Sequence, residues 1–128
     1  MRHQSSAAAF VLLMRGSGEE REILLNLRRN TGFRDGEYDV SASGHLEPSE
    51  SFEQCAIRET LEEIGVALKP DDLKFCFLMH DFRHSYIYVF FMAELPEDAT
   101  PRVCEPEKSG GLLWAKMNDL PKNIEPFH

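Results

Sequence analysis

Between Ser51 and Gly65 lies the one stretch of this sequence that is both long enough and correctly bracketed to be a helix. Ser51 is followed three residues later by Gln54, the spacing of a reciprocal cap, and Gly65 stands where a left-handed residue ends a helix. At about 100° per residue, Ile57, Leu61 and Ile64 share one face. Elsewhere the apolar runs are short and punctuated by glycine or proline, which predicts strands. Ala8–Met14 and Glu22–Leu27 read as strands around the Gly16–Glu20 turn, residues 28–37 as a loop, and Tyr38–Ser41 as a short strand. Leu73–Met79 and Ser85–Glu94 predict a hairpin whose second strand is apolar on both faces and therefore central. Leu95–Gly110, with three prolines, reads as a long loop, and Leu112–Lys116 as the last strand before a closing turn at Asn118–Pro121. The fold class is α/β of the α+β kind, in a single domain over residues 1–128.

The charge balance narrows the function. Lys and Arg number 14 against 22 Asp and Glu, a formal charge of −8, which argues against a general nucleic-acid polymer partner because such a protein needs a basic face. The longest apolar runs fall well short of a bilayer span, so no membrane partner is expected. Arg2 ahead of Ala7–Met14 has the outline of a short signal segment, but a buried strand ending in a turn explains the same residues. Three cysteines, Cys55, Cys76 and Cys104, are an odd number without CxxC spacing. They imply neither a disulfide framework nor a cysteine zinc site and fit a reducing cytoplasm.

On the expected helix, Glu59, Glu62 and Glu63 fall within an arc of about 100°. Like charges so placed repel one another, and such a set is ordinarily a solvated face. A hard divalent cation such as Mg2+ or Mn2+ relieves the repulsion, because it takes oxygen ligands from a few carboxylates and completes its shell with phosphates and water.

The surrounding residues carry a resemblance. Gly44, five residues, Glu50, seven residues, Arg58-Glu59, two residues, Glu62-Glu63, one residue, Gly65-Val66 is similar to the signature of the Nudix hydrolases, with Thr60 where that pattern prefers an aliphatic residue. Leu24–Arg29, Glu105–Lys108 with Gly111–Trp114, and Asp119–Pro121 extend the likeness over about residues 7 to 121. The resemblance implies a mixed β-sheet sandwiched between helices, with a loop–helix–loop catalytic motif at the open end of the sheet. It implies metal binding by Glu59, Glu62, Glu63 and the carbonyl of Gly44, and an orienting pair in Glu50 and Arg58, whose planar fork suits a carboxylate. Members tend to carry a C-terminal helix on the second face. This sequence stops at His128, so a partner or a long loop covers that face, or the sequence is truncated; two copies forming a homodimer is one arrangement compatible with this.

The implied reaction is metal-dependent hydrolysis of a nucleoside diphosphate linked to another moiety, with a water attacking phosphorus in line. Glu59 and Glu107 are the competing general bases, with Glu107 slightly preferred and Glu105 held behind it; loop acids of this kind are as often merely solvated. Arg28, Arg29, Arg34 and His45 are placed to meet phosphate, with surface charge as the alternative account. Phe33, Tyr38 and Phe82 are candidates for stacking on a base, although aromatics are more often core. His80 and His84 bracket a turn and do not make a zinc pair. Neither a P-loop nor a G-x-S-x-G elbow is present. The markers associated with ADP-ribose, dinucleoside polyphosphate, NADH and coenzyme A substrates are missing, which by elimination leaves a nucleoside triphosphate, plain or modified, split into monophosphate and pyrophosphate. Two other readings stand beside it. One is a non-catalytic ligand-sensing or protein-binding module of the same fold, disfavoured because all three glutamates are kept. The other is an isoprenoid-diphosphate isomerase, which Asp39–His45 resembles but which needs a cysteine ahead of the motif.

Overall fold

The computed structural model describes residues 4–30, 32 and 35–123. Its frame is a seven-stranded mixed sheet: β1 (Ser6–Arg15), β2 (Glu22–Arg28), β3 (Tyr38–Asp39), β4 (Ala42–His45), β5 (Lys74–Asp81), β6 (Tyr86–Glu94) and β7 (Ser109–Lys116). Among the described residues there is one α-helix, α1 (Phe52–Ile64), with short 3-10 turns at Gly18–Glu20 and Pro70–Asp72.

Strand β1 organises the sheet. Along one side it runs parallel to β6, from Ser6 beside Tyr86 to Met14 beside Glu94. Its other side changes partner: Ala8–Val11 pair antiparallel with β4, whereas Met14 and Arg15 pair with β2. At the change of partner the Leu13 N–H donates to Ser41 Oγ at 2.8 Å, and that hydroxyl donates to Leu24 O at 2.6 Å. Ser41 is fully buried and bridges β1 to β2 where the ladder is interrupted, satisfying groups that would be costly to leave unpaired. Beyond it β2 continues outward, pairing with β3 on one side and β7 on the other.

Helix α1 lies against β1 and β4. Small residues line that contact, with Ala9, Ala42, Cys55 and Ala56 all buried, so helix and sheet approach closely. Both predicted caps are present: Gln54 N–H donates to Ser51 Oγ, Ser51 N–H donates to Gln54 Oε1, and Gly65 takes φ 69°. The buried face differs from the expected one by one position. Leu61 is 52% exposed, and Thr60 is buried instead, its hydroxyl donating to Ala56 O at 2.7 Å. The departure from the aliphatic pattern is thus accommodated by an internal hydrogen bond.

Strand β6 is central, between β1 and β5, with Val89, Phe90 and Phe91 buried in succession. The face of the sheet opposite α1 carries an aromatic stripe. Phe90 is sandwiched between Phe10, at 4.7 Å between ring centres, and Phe77, at 4.3 Å; Tyr86 stacks on Tyr88 at 4.7 Å. The mixed sheet is as expected, and among the described residues a helix covers one face of it. Strand β4 was not expected, and β7 begins three residues earlier than the sequence predicts. Arg34 and Phe33 lie outside the described residues.

Candidate active site

The end of the sheet where β1 changes partners opens into a cavity of about 560 Å³. Gly44, Glu59, Glu62, Glu63 and Glu105 line one side of it, and Asn26, Arg28, Asp39, Lys108 and Ser109 the other. The volume lies within the range of small-molecule sites.

Arg58 fixes the acidic wall. Its Nε and Nη2 donate to the two oxygens of Glu50 at 2.7 and 2.9 Å, a bidentate fork. Nη2 also donates to His45 O at 3.1 Å, tying the loop to the helix. Nη1 donates to Glu59 Oε1 at 2.5 Å and Glu62 Oε2 at 3.3 Å. The fork, together with the Glu47 N–H, holds the Glu50 carboxyl down to about 2. Cys55, beneath this network, donates its thiol to Gly44 O at 3.4 Å; burial pushes it up to about 11, so it stays an unreactive thiol.

Glu59 lies directly against Gly44. A Cβ built on Gly44 would fall 2.3 Å from the Glu59 carboxyl carbon, so that carboxylate occupies space which any larger residue would fill. Glu63 is one helical turn further on, and its Oε2 accepts from the Ser43 N–H at 3.3 Å. Burial first, then the adjacent Glu59 carboxylate, push the Glu63 carboxyl well above the usual carboxylate range.

The loop after β6 completes the wall. Arg102 N–H donates to Ile64 O at 2.9 Å and Cys104 N–H to Glu63 O at 3.0 Å, strapping this segment to the last carbonyls of α1. Glu105 follows the strap, and its carbonyl accepts from Lys108 and Ser109 in a turn that places its side chain at the cavity. Glu107, the slightly preferred loop acid, is exposed and does not line the cavity, because the turn carries it past the opening.

On the opposite wall Arg28 lines the cavity, paired with the buried Asp39 at 2.6 Å. Arg29 points elsewhere: it is exposed and its N–H donates to Lys108 O at 2.9 Å, since neighbours at the end of a strand alternate sides. His45 stands exposed at the rim, its ring 5.4 Å from that of Tyr86. Asp39, Asn26, Lys108 and Ser109 were not singled out from sequence; the Asp39 charge on a β-strand next to apolar Val40 was the available signal. His84 Nδ1 pairs with Asp81 at 2.8 Å in the β5–β6 turn, remote from the cavity.

The donor set fits a hard divalent cation. It consists of oxygens only, the three carboxylates and the Gly44 carbonyl, and buried Glu63 beside Glu59 needs either a proton or a cation to be tolerated. Among the described residues no three acidic, His or Cys side chains stand close enough together to hold one, and Arg58 engages both Glu59 and Glu62.

The NUDIX domain model matches residues 4–128. The NAD-capped RNA hydrolase NudC of Chromobacterium violaceum is 37% identical over 124 residues, covering 96% of this chain and 43% of that protein. Its namesake in Deinococcus radiodurans is 33% identical over 115 residues, 90% of this chain and 39% of the relative. The chain therefore spans about two fifths of the length of these curated relatives. Among solved structures, a MutT NUDIX hydrolase from Burkholderia pseudomallei superimposes with TM-score 0.77 at 21% identity, covering 96% of this chain and 92% of that one. An Ap4A hydrolase from C. elegans gives TM-score 0.66 at 18% identity, covering 88% and 81%. With the glycine, the fork and the three glutamates standing where the motif requires them, and the family model spanning the described sheet and helix, the chain belongs to the NUDIX domain family.

Proposed function

We propose that this chain hydrolyses a nucleoside diphosphate linked to a second group, cleaving the phosphoric anhydride with the help of Mg2+ or Mn2+. The observation that carries the reading is the packing of Glu59 against the bare Cα of Gly44, with buried Glu63 one turn away and Glu105 beside them on the same wall. A divalent cation would supply charge neutralisation at the phosphates and a more acidic water. Glu59, Glu62 and Glu63 would hold it, with the Gly44 carbonyl as a further oxygen donor. Arg58 and Glu50 keep the loop and helix in register. Glu105 is the carboxylate placed to accept a proton from the attacking water, with Glu59 as the competing base. Arg28 and Lys108 meet substrate phosphate across the cavity, and His45 contacts it at the rim.

Two substrate classes compete. Elimination by sequence markers favours a nucleoside triphosphate, giving monophosphate and pyrophosphate. The relatives named NAD-capped RNA hydrolase favour a dinucleotide-like diphosphate, free or at the end of an RNA, so an RNA terminus joins the small nucleotides as a candidate partner. A reducing, cytoplasmic setting is supported by three free cysteines. No helix of the described residues is long and apolar enough to cross a membrane. The test is a panel of triphosphates, oxidised triphosphates, ADP-ribose, NAD and an NAD-capped oligoribonucleotide, with Mg2+, with Mn2+ and with chelator, and Glu63→Gln as control. Metal-dependent turnover absent from the variant establishes the hydrolase, and the preferred substrate selects the class. Silence across the panel with the metal bound would favour the sensing or protein-binding module.

A further inference from the structure

Strand β5 ends the sheet, and its outer edge is open among the described residues. A long edge strand is usually protected by being short, charged or covered. This one has eight residues, and its middle exposes large apolar side chains on both faces: Phe75 is 63%, Phe77 42% and Leu78 53% accessible. Such a strand resembles an interior strand lacking a neighbour.

We propose that the neighbour is β5 of a second copy of this chain, the two strands pairing antiparallel so that the sheet continues across a two-fold axis at Leu78. An antiparallel pair of identical edges needs an axis normal to the sheet, so residues that meet must lie on the same face. The register against β6 shows which do. Lys74, Phe77, Met79 and Asp81 lie opposite Met92, Phe90, Tyr88 and Tyr86 on the face with the aromatic stripe. Phe75, Leu78 and His80 lie opposite Phe91, Val89 and Ile87 on the α1 face. The irregularity between Phe75 and Phe77 leaves Cys76 as an extra residue. With Leu78 on the axis, Phe77 meets Met79 of the other copy, Phe75 meets His80, and Lys74 meets Asp81. Every pair shares a face, and the strand's terminal charges are complementary to those of its own copy. Without the bulge at Cys76, Lys74 and Asp81 would lie on opposite faces and this match would fail. The cavity takes no residue from β5, so both cavities remain open in the pair.

Sedimentation velocity from about 1 to about 100 µM tests this by mass, independently of any turnover, because a dimer's population follows concentration. The wild-type chain is expected to approach twice its monomer mass. Leu78→Glu, which opposes two like charges on the axis, is expected to leave a monomer with an unchanged far-ultraviolet circular-dichroism spectrum. Lys74→Glu and Asp81→Lys are each expected to weaken the dimer about tenfold, because the axis repeats the pair twice. Asp81 also pairs with His84, so the combined swap is decisive: it restores the wild-type constant if the two residues meet. A wild-type chain that stays monomeric, a Leu78→Glu dimer, a swap no tighter than its single variants, or polydisperse aggregation in place of a dimer would each overturn the proposal.

Discussion

Replacing Glu63 by Gln separates a structural carboxyl from a metal-binding one. In the metal-free protein this carboxyl keeps its proton at neutral pH, because burial and the neighbouring Glu59 both penalise its charge. A divalent cation must displace that proton to be bound, so adding Mg2+ at pH 7 is expected to release about one proton per site. Calorimetry in buffers of different ionisation enthalpy reads that number directly. Glu63→Gln keeps the shape and carries no such proton, so the release disappears. Stability moves in a definite direction as well. A carboxyl raised above its ordinary 4.5 binds more protons in the folded than in the unfolded state. Its contribution is thus fully present below pH 4.5 and is lost as pH rises towards the folded value. The metal-free wild type therefore loses stability across the neutral range, and the variant loses less. Turnover is expected to fall about a thousandfold, roughly 4 kcal/mol, within the several kcal/mol a metal contributes to such a transition state. Metal binding without proton release, or wild-type turnover in the variant, would refute the assignment.

The other expectations concern the residues around it. Glu105→Gln should lower kcat by about 10²–10⁴-fold, the usual worth of a general base, while Glu107→Gln stays near wild type in the same steady-state assay; equal losses would show that the turn after Cys104 does not select between them. Gly44→Ala should fold, since no positive φ is involved and the clash is with the far end of a flexible side chain; it should still lose activity, because Glu59 must leave its place. Arg58→Lys, which cannot form the fork, should reduce kcat with KM little changed, as shown by comparing kinetic constants with the melting temperature. Glu50, held at about 2 by Arg58, contributes stability above its ordinary 4.5 that is lost as pH falls towards 2; acid melts of wild type and Glu50→Gln should converge within that window.

The parts of the structure that were legible from sequence are those whose causes are local. The limits of α1 follow from Ser51, Gln54 and Gly65, all within the segment itself, and its bounds are those expected. The motif residues Gly44, Arg58, Glu59, Glu62 and Glu63 gather at one cavity for the same reason, since one loop and one helix carry them all, and Glu50 stands behind them as the partner of Arg58. What was not legible depends on distant chain. Strand β4, Ala-Ser-Gly-His, has little intrinsic strand character and exists because Ala8–Val11 pair with it. Glu105 is brought to the cavity rather than Glu107 because residues 102 and 104 bond to the end of α1, some forty residues earlier in the chain. Arg28 rather than Arg29 lines the cavity because β2 alternates sides at its end and Asp39, across the ladder, holds the inward member. Leu61 shares the apolar face of Ile57 and Ile64 by spacing and is nevertheless exposed, whereas Thr60 is buried, because a threonine that bonds Ala56 O buries no unpaired hydroxyl.

The position of the cavity follows from the strand order. Strand β1 cannot pair with β4 and β2 over the same residues, so the ladder must be interrupted at the change, and Ser41 occupies the interruption. Past that point β2 pairs with β3 and β7, whereas β4 pairs with β1 and packs under α1. The gap is lined by whatever faces it from both sides: Asn26, Arg28 and Asp39 from one, Gly44 and the helix glutamates from the other. Arg58 is the hinge of this arrangement, for it belongs to the wall through Glu50 and to the site through Glu59. Its second contact is the one a bound cation would compete for, and its first is the one that would keep α1 in place while that exchange occurs.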